Sequence, residues 1–144
     1  MGGIRVLPPD EIERLLHGAI VGRIACGGGE GEDARPYLVP LAYGYDGEAV
    51  YAHSSPGRKI RLMRRQPLVA FEVDAAEAPD RWRSVIADAV YDEIADPAAR
   101  QAALRLIYPP PAALPDLPPE TIVYRLRLTA KSGRYETPDD DGDR

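Results

Sequence analysis

Residues 37–53 read YLVPLAYGYDGEAVYAH, two runs rich in Val and Tyr on either side of Asp46-Gly47. Asp-Gly between two such runs is a hairpin signal, because a tight primed turn needs positive φ and glycine adopts it without strain. The spacing predicts an antiparallel pair, Tyr37–Tyr45 with Ala49–His53. Working outward, Val21–Cys26, Leu68–Val73, Trp82–Tyr91 and Ile122–Leu128 also have strand character. Val69, Phe71 and Val73 share one face, and Ile122, Tyr124, Leu126 and Leu128 alternate with Val123, Arg125 and Arg127. The count is about six strands. Between them the chain predicts a few short helices. Pro8-Pro9-Asp10-Glu11 opens one with Ile12, Leu15 and Leu16 on its apolar face, ended by His17-Gly18. Arg58–Arg65 forms another, with Ile60 and Met63 inward and Gln66-Pro67 as its stop. Asp96-Pro97 caps a third that runs to about Ile107. Ala75–Asp80 reads as a loop, and Tyr108–Pro119, with six prolines, as an extended connector. Short antiparallel strands with few helices predict a barrel, since closure removes open sheet edges.

The chain has 144 residues, 44% hydrophobic and 28% charged, which are values of one globular domain with a real core. We place that domain at residues 1–137, followed by an acidic tail, 138–144, expected to be disordered. A net charge of -5 argues against nucleic acid and against an anionic membrane surface as partners. Cys26 is the single cysteine, so no disulfide framework and no zinc-type cluster is expected, and a reducing cytoplasm fits. No run has signal-peptide character or membrane-spanning length, and no metal site is predicted. The Gly27–Gly31 loop is acidic and lacks the Gly-Lys-Ser/Thr ending of a phosphate loop.

The chemistry concentrates in His53-Ser54-Ser55-Pro56-Gly57-Arg58-Lys59, where a strand turns into a helix. A helix start presents unpaired N–H groups and the positive end of the dipole. Hydroxyls, an imidazole, a guanidinium and an ammonium on the same turn suit a phosphomonoester. The competing reading is a capped helix with solvated basic residues. Arg61, Arg64 and Arg65 fit a solvated face better than a second site.

Several segments carry a resemblance. They are Gly22–Ala25, Arg35–Leu41, Val50–Ser54 with Gly57-Arg58-Lys59, Gln66–Val73 and Trp82–Val85. In this order and spacing the chain resembles the pyridoxamine 5'-phosphate oxidase-like FMN-binding proteins over about residues 10–130, nearest their nitroimidazole-resistance-like branch. The resemblance implies a mainly β fold, a six-stranded antiparallel split β-barrel with a few short helices. It implies a homodimer with FMN at the interface. The FMN phosphate would sit at His53, Ser54, Arg58 and Lys59, and the flavin ring edge against main chain of Val39, Pro40 and Leu41. Trp82, Ser84 and Val85 would approach the ring, commonly from the partner chain. The implied activity is electron transfer from a reduced nicotinamide donor to a small acceptor such as a nitroaromatic or quinone. His53 is the one candidate catalytic residue.

The chain departs from the pattern at Ile86–Val90, where relatives often carry glycine and a basic residue. It also lacks the C-terminal Trp and Arg that serve the substrate of the full oxidase. These departures argue against true pyridoxamine 5'-phosphate oxidase activity. Deazaflavin or haem, which relatives bind in the same fold, is the alternative cofactor, with Arg61, Arg64 and Arg65 as a basic groove for a deazaflavin tail, and a non-enzymatic flavin-binding module is the alternative function. Among other residues, Cys26 reads as an apolar filler. Tyr37, Tyr43, Tyr45 and Tyr51 read as strand packing, His17 as structural, and Lys131–Arg134 as a solvated turn after the last strand.

Overall fold

The computed structural model describes residues 3–138. The expected acidic tail therefore lies outside the described residues, apart from Pro138. The strands are β1 (Arg5–Val6), β2 (Val21–Cys26), β3 (Tyr37–Ala42), β4 (Gly44–Tyr45), β5 (Ala49–Ser54), β6 (Leu68–Ala78), β7 (Arg81–Glu93) and β8 (Ile122–Glu136). The helices are α1 (Pro9–Gly18), α2 (Arg58–Arg65) and α3 (Pro97–Ile107), with a 3-10 turn at Gly31–Ala34.

All strands join one antiparallel sheet in the order β3-β2-β6-β7-β8-β5-β4, with β1 paired to β8. The two ends of this order, β3 and β4, are neighbours in the chain, separated only by Tyr43. The sheet therefore curls back on itself, and the split barrel follows from connectivity. The expected hairpin is real but short. Gly47 has φ of 97° at the turn, and only Gly44↔Tyr51 and Tyr45↔Val50 pair across it. The rest of the first strand, β3, pairs with β2 instead. The switch occurs at Tyr43, whose N–H donates to Ile20 O (3.1 Å) and whose hydroxyl donates to Leu16 O (2.6 Å).

Eight strands are assigned where about six were expected. Splitting at Tyr43 adds one and the two-residue β1 adds another. Two expected boundaries also move. The 75–80 loop is mostly strand, because β6 pairs with β7 as far as Ala78↔Arg81. The Lys131–Arg134 turn is strand too, because β8 stays paired with β7 out to Trp82↔Glu136.

The barrel interior holds Leu16, Ile24, Met63, Phe71, Val73, Val85, Tyr124 and Leu126, all essentially inaccessible. Burying each such side chain contributes about 1.5–3 kcal/mol. Helix α1 adds Ile12 and Leu15, and α2 adds Ile60 and Leu62. A second, smaller core lies on the other face of the sheet, where α3 covers Val123 with Ala103 and Ile94. Val123 and Tyr124 are consecutive and point to opposite faces, yet both are fully buried. The α3 helix is positioned by Asp96, whose carboxylate accepts from Ala99 N–H at 2.9 Å.

Candidate functional site

Strand β5 delivers His53 and Ser54 to the barrel rim, and α2 begins four residues later. Gly57 caps α2 with extended backbone and no side-chain hydrogen bond, so the first-turn N–H groups are not used by a cap. Arg58 and Lys59 occupy that first turn. Neither forms an ion pair among the described residues. The Arg58 guanidinium lies over the Tyr37 ring, 4.6 Å from its centroid, and so ties the helix start to the start of β3. Lys59 is half-buried; burial lowers its pKa, and its charge acts on the neighbouring Cys26 and His53.

Arg35, on the loop before β3, faces the same space. With Gly31, Glu32, Asp33, Arg58 and Arg61 it lines a cavity of about 670 Å³. In the sequence Arg35 stands only in the Arg35–Leu41 motif, and its place on this cavity comes from the fold. The one local signal was a basic residue ahead of a proline that starts a strand. The later basic residues face carboxylates, two of them the Asp33 of that same cavity. Arg65 and Arg61 face Asp33 at 2.5 and 3.7 Å, and Arg64 pairs with Glu93.

His53 is held rather than loose. Its Nε2 lies 2.7 Å from the Tyr108 hydroxyl, and the two rings are stacked with 28° between planes. Burial, and then the Lys59 charge, lower its pKa. Ser54 donates its hydroxyl to Ser55 O at 2.7 Å.

Val39, Pro40 and Leu41 lie on β3, which ends the hydrogen-bonded strand order. Its outer backbone edge has no strand partner among the described residues, which makes main-chain groups available to a ligand. The side chains differ: Leu41 is in the core, Val39 is half-buried and Pro40 faces out. Val85 is likewise inside the barrel and fully buried, so its side chain does not reach a surface ligand, while Ser84 faces outward. Trp82 stands apart from the turn. It donates Nε1–H to Glu136 at 3.0 Å and lines a different cavity, of about 350 Å³, with Leu7, Pro8, Arg83 and Tyr135. Within one chain, then, the structure puts Arg35 and Arg58 on one cavity and Lys59 within electrostatic reach of His53, while Trp82 lines another cavity.

A barrel of this topology with a cationic strand-to-helix turn can be compared with known proteins. The family model described as pyridoxamine 5'-phosphate oxidase matches residues 8–135. This chain belongs to that family. Among solved structures, a FAD-binding protein of Mesorhizobium loti is 32% identical, with a TM-score of 0.75, covering 93% of this chain and 99% of that one. A Bacteroides thetaiotaomicron protein named for 5-nitroimidazole antibiotic resistance has a TM-score of 0.81 at 19% identity, covering 93% and 88%. That likeness is one of fold. An uncharacterized protein of Rhizobium meliloti is 31% identical over 91 residues, 63% of this chain. The match spans only 58% of that curated relative's length.

The donor set fits the nucleotide that the family implies. Arg35, Arg58 and Lys59, none of them in an ion pair among the described residues, stand beside the uncapped first turn of α2, with Glu32 and Asp33 on the same cavity, and such cations beside open amides are what a phosphate requires. Among the described residues no His/Cys/Asp/Glu cluster could hold a metal ion, and no helix is long and apolar enough to cross a membrane.

Proposed function

We propose that this chain is a flavin-nucleotide-binding oxidoreductase that works as a homodimer in the cytoplasm. The observation that carries the reading is the group of unpaired cations at the start of α2. Arg58 and Lys59 would hold the phosphate, with His53 and Arg35 beside it. The unpartnered edge of β3 at Val39, Pro40 and Leu41 would receive the ring. Bound flavin supplies hydride and electron transfer, and the chain supplies orientation and exclusion of water. The electron donor in this reading is a reduced nicotinamide and the acceptor a small nitroaromatic or quinone.

The dimer is supported by the outer face of the sheet. Leu38, Leu68 and Ile86 are 67, 65 and 54% exposed there, beside Pro40 and Ala25. These apolar side chains border the Arg23–Glu72–Asp74 ion cluster on the same face, and a mixed patch of this kind suits contact with a second copy of the chain. A second chain would also bring its Trp82 and Ser84 towards the turn, which one chain alone does not do.

FMN needs only the turn. FAD is a second reading with its own support: the cavity of about 670 Å³ beside Arg58 leaves room for an adenosine arm, and the Mesorhizobium loti relative is FAD-binding. Of the basic groove that deazaflavin would use, Arg64 and Arg65 pair with carboxylates and Arg61 lies 3.7 Å from Asp33, and His53 is bonded to Tyr108, so FMN or FAD is the better supported reading.

The test is an absorbance spectrum of dialysed protein, before and after addition of FMN or FAD, followed by anaerobic addition of reduced nicotinamide. A retained flavin band that bleaches with the donor is the expected result. Protein that takes up neither flavin contradicts the proposal. Protein that holds flavin but turns over no donor–acceptor pair is the non-enzymatic module.

A further inference from the structure

His53 and Tyr108 form a contact that neither the fold nor the flavin reading explains. Tyr108 follows α3, and its N–H donates to Leu104 O at 2.8 Å, so its backbone is fixed by the helix end. That helix is pinned to the sheet through Ala103 and Val123. The hydroxyl therefore arrives at His53 Nε2 from a rigid element, at 2.7 Å. Neither the Tyr108 hydroxyl nor His53 Nδ1 has another partner among the described residues. Ser54, the adjacent hydroxyl, is already committed to Ser55 O.

A half-buried imidazole beside an ammonium stays neutral, with one nitrogen a donor and the other an acceptor. Which is which depends on the phenol. A phenol is a good donor and a poor acceptor, because its oxygen lone pair is delocalised into the ring. The favoured arrangement is O–H donating to Nε2, which puts the imidazole proton on Nδ1.

We infer that Tyr108 is the positioning residue for His53, fixing the Nδ1–H tautomer so that the turn gains an uncharged donor for a bound phosphate. The use of that donor by a nucleotide phosphate rests on the flavin reading above; the tautomer itself does not. An uncharged donor of this kind leaves the charge balance of the turn to Arg58, Lys59 and Arg35.

The experiment is long-range 1H–15N correlation on 15N-labelled protein without flavin, joined to FMN and riboflavin titrations. Only His17 and His53 contribute signals, and His17→Gln assigns them. The expected spectrum has a protonated Nδ1 and a bare Nε2 at His53. Tyr108→Phe keeps the ring and removes the hydroxyl. It is expected to shift His53 towards the Nε2–H form and to weaken FMN about two- to tenfold, the worth of one hydrogen bond, with riboflavin unaffected. An Nε2–H form in the parent protein, or an unchanged tautomer in Tyr108→Phe, overturns the inference. Should Tyr108→Phe fail to fold, His53→Asn and His53→Gln decide. The Asn amide places its donor near Nδ1 and should retain more FMN affinity than Gln, whose amide reaches towards Nε2; the reverse order overturns the inference. Failure of the parent protein to bind FMN or FAD removes the flavin reading, while the tautomer still decides the role of Tyr108.

Discussion

Arg58 lies over the ring of Tyr37, its guanidinium carbon 4.6 Å from the centroid, and this contact joins the first turn of α2 to the first residue of β3. The turn that would bind phosphate and the strand that would meet the flavin ring are thereby held in one geometry. Tyr37→Leu removes the π face and keeps an apolar side chain. An exposed cation–π contact contributes about 0.5–1 kcal/mol, so its removal should lower folding stability by up to about that amount, and flavin-nucleotide affinity should fall by no more than about two- to fivefold by calorimetry. An unaltered affinity would mean that Arg58 needs no such support.

The barrel depends on a close approach at Gly44. A Cβ there would overlap the Leu106 carbonyl of α3, which is backbone and has nowhere to move cheaply. Gly44→Ala should destabilise by about 1–3 kcal/mol or more, read as a lower urea midpoint with an unchanged slope. Parent-like stability would show that α3 does not press on β4.

His53 titrates below its ordinary value of 6.5, first because it is buried and then because Lys59 is near. The folded chain therefore binds fewer protons there than the unfolded chain. The stability this contributes is present above pH 6.5 and is lost as pH falls through the depressed folded value. NMR titration should give a His53 midpoint under 6.5 that rises in Lys59→Met. A midpoint at or above the ordinary value in the parent would refute the assignment of causes.

On the outer face of the sheet, Arg23 sits 3.2 Å from both Glu72 and Asp74. Burial first, and then Asp74, raise the Glu72 pKa against the pull of Arg23. Ile86 stands opposite Glu72 on the neighbouring strand, 54% exposed. If a second chain covers this face, Ile86→Glu places a further carboxylate beside Glu72 and Asp74 in the interface and should yield monomer by light scattering at micromolar concentration. A parent protein that is itself monomeric would remove the dimer from the proposed function.

Much of this was legible in the chain. The capping signals at Pro8-Pro9 and Asp96-Pro97 mark helices because their chemistry is local. Asp46-Gly47 marks a turn for the same reason. What local chemistry does not carry is where strands pair. Tyr43 divides its strand through bonds to Ile20 and Leu16, more than twenty residues away, and periodicity has no access to them. The polar run Thr129–Glu136 shows no alternation, yet it is strand because β7 is long enough to pair with it. Its Lys131, which the local sequence places in a solvated turn, is bonded to Glu13 and to the Tyr45 hydroxyl. The candidate site divides the same way. His53, Ser54, Arg58 and Lys59 are neighbours in sequence and were found together. Arg35 joins them only through the fold, and Trp82, grouped with them by resemblance, faces a different cavity in the single chain.

The most direct measurement compares FMN with riboflavin by calorimetry on the parent protein and on Arg58→Ala/Lys59→Ala. The two ligands differ only in the phosphate. Hydrogen bonds to charged groups contribute about 1.5–3 kcal/mol each, so the double variant should lose FMN affinity by at least about a hundredfold and leave riboflavin unchanged. Equal losses for both ligands, or no loss for FMN, would contradict a phosphate site at the start of α2.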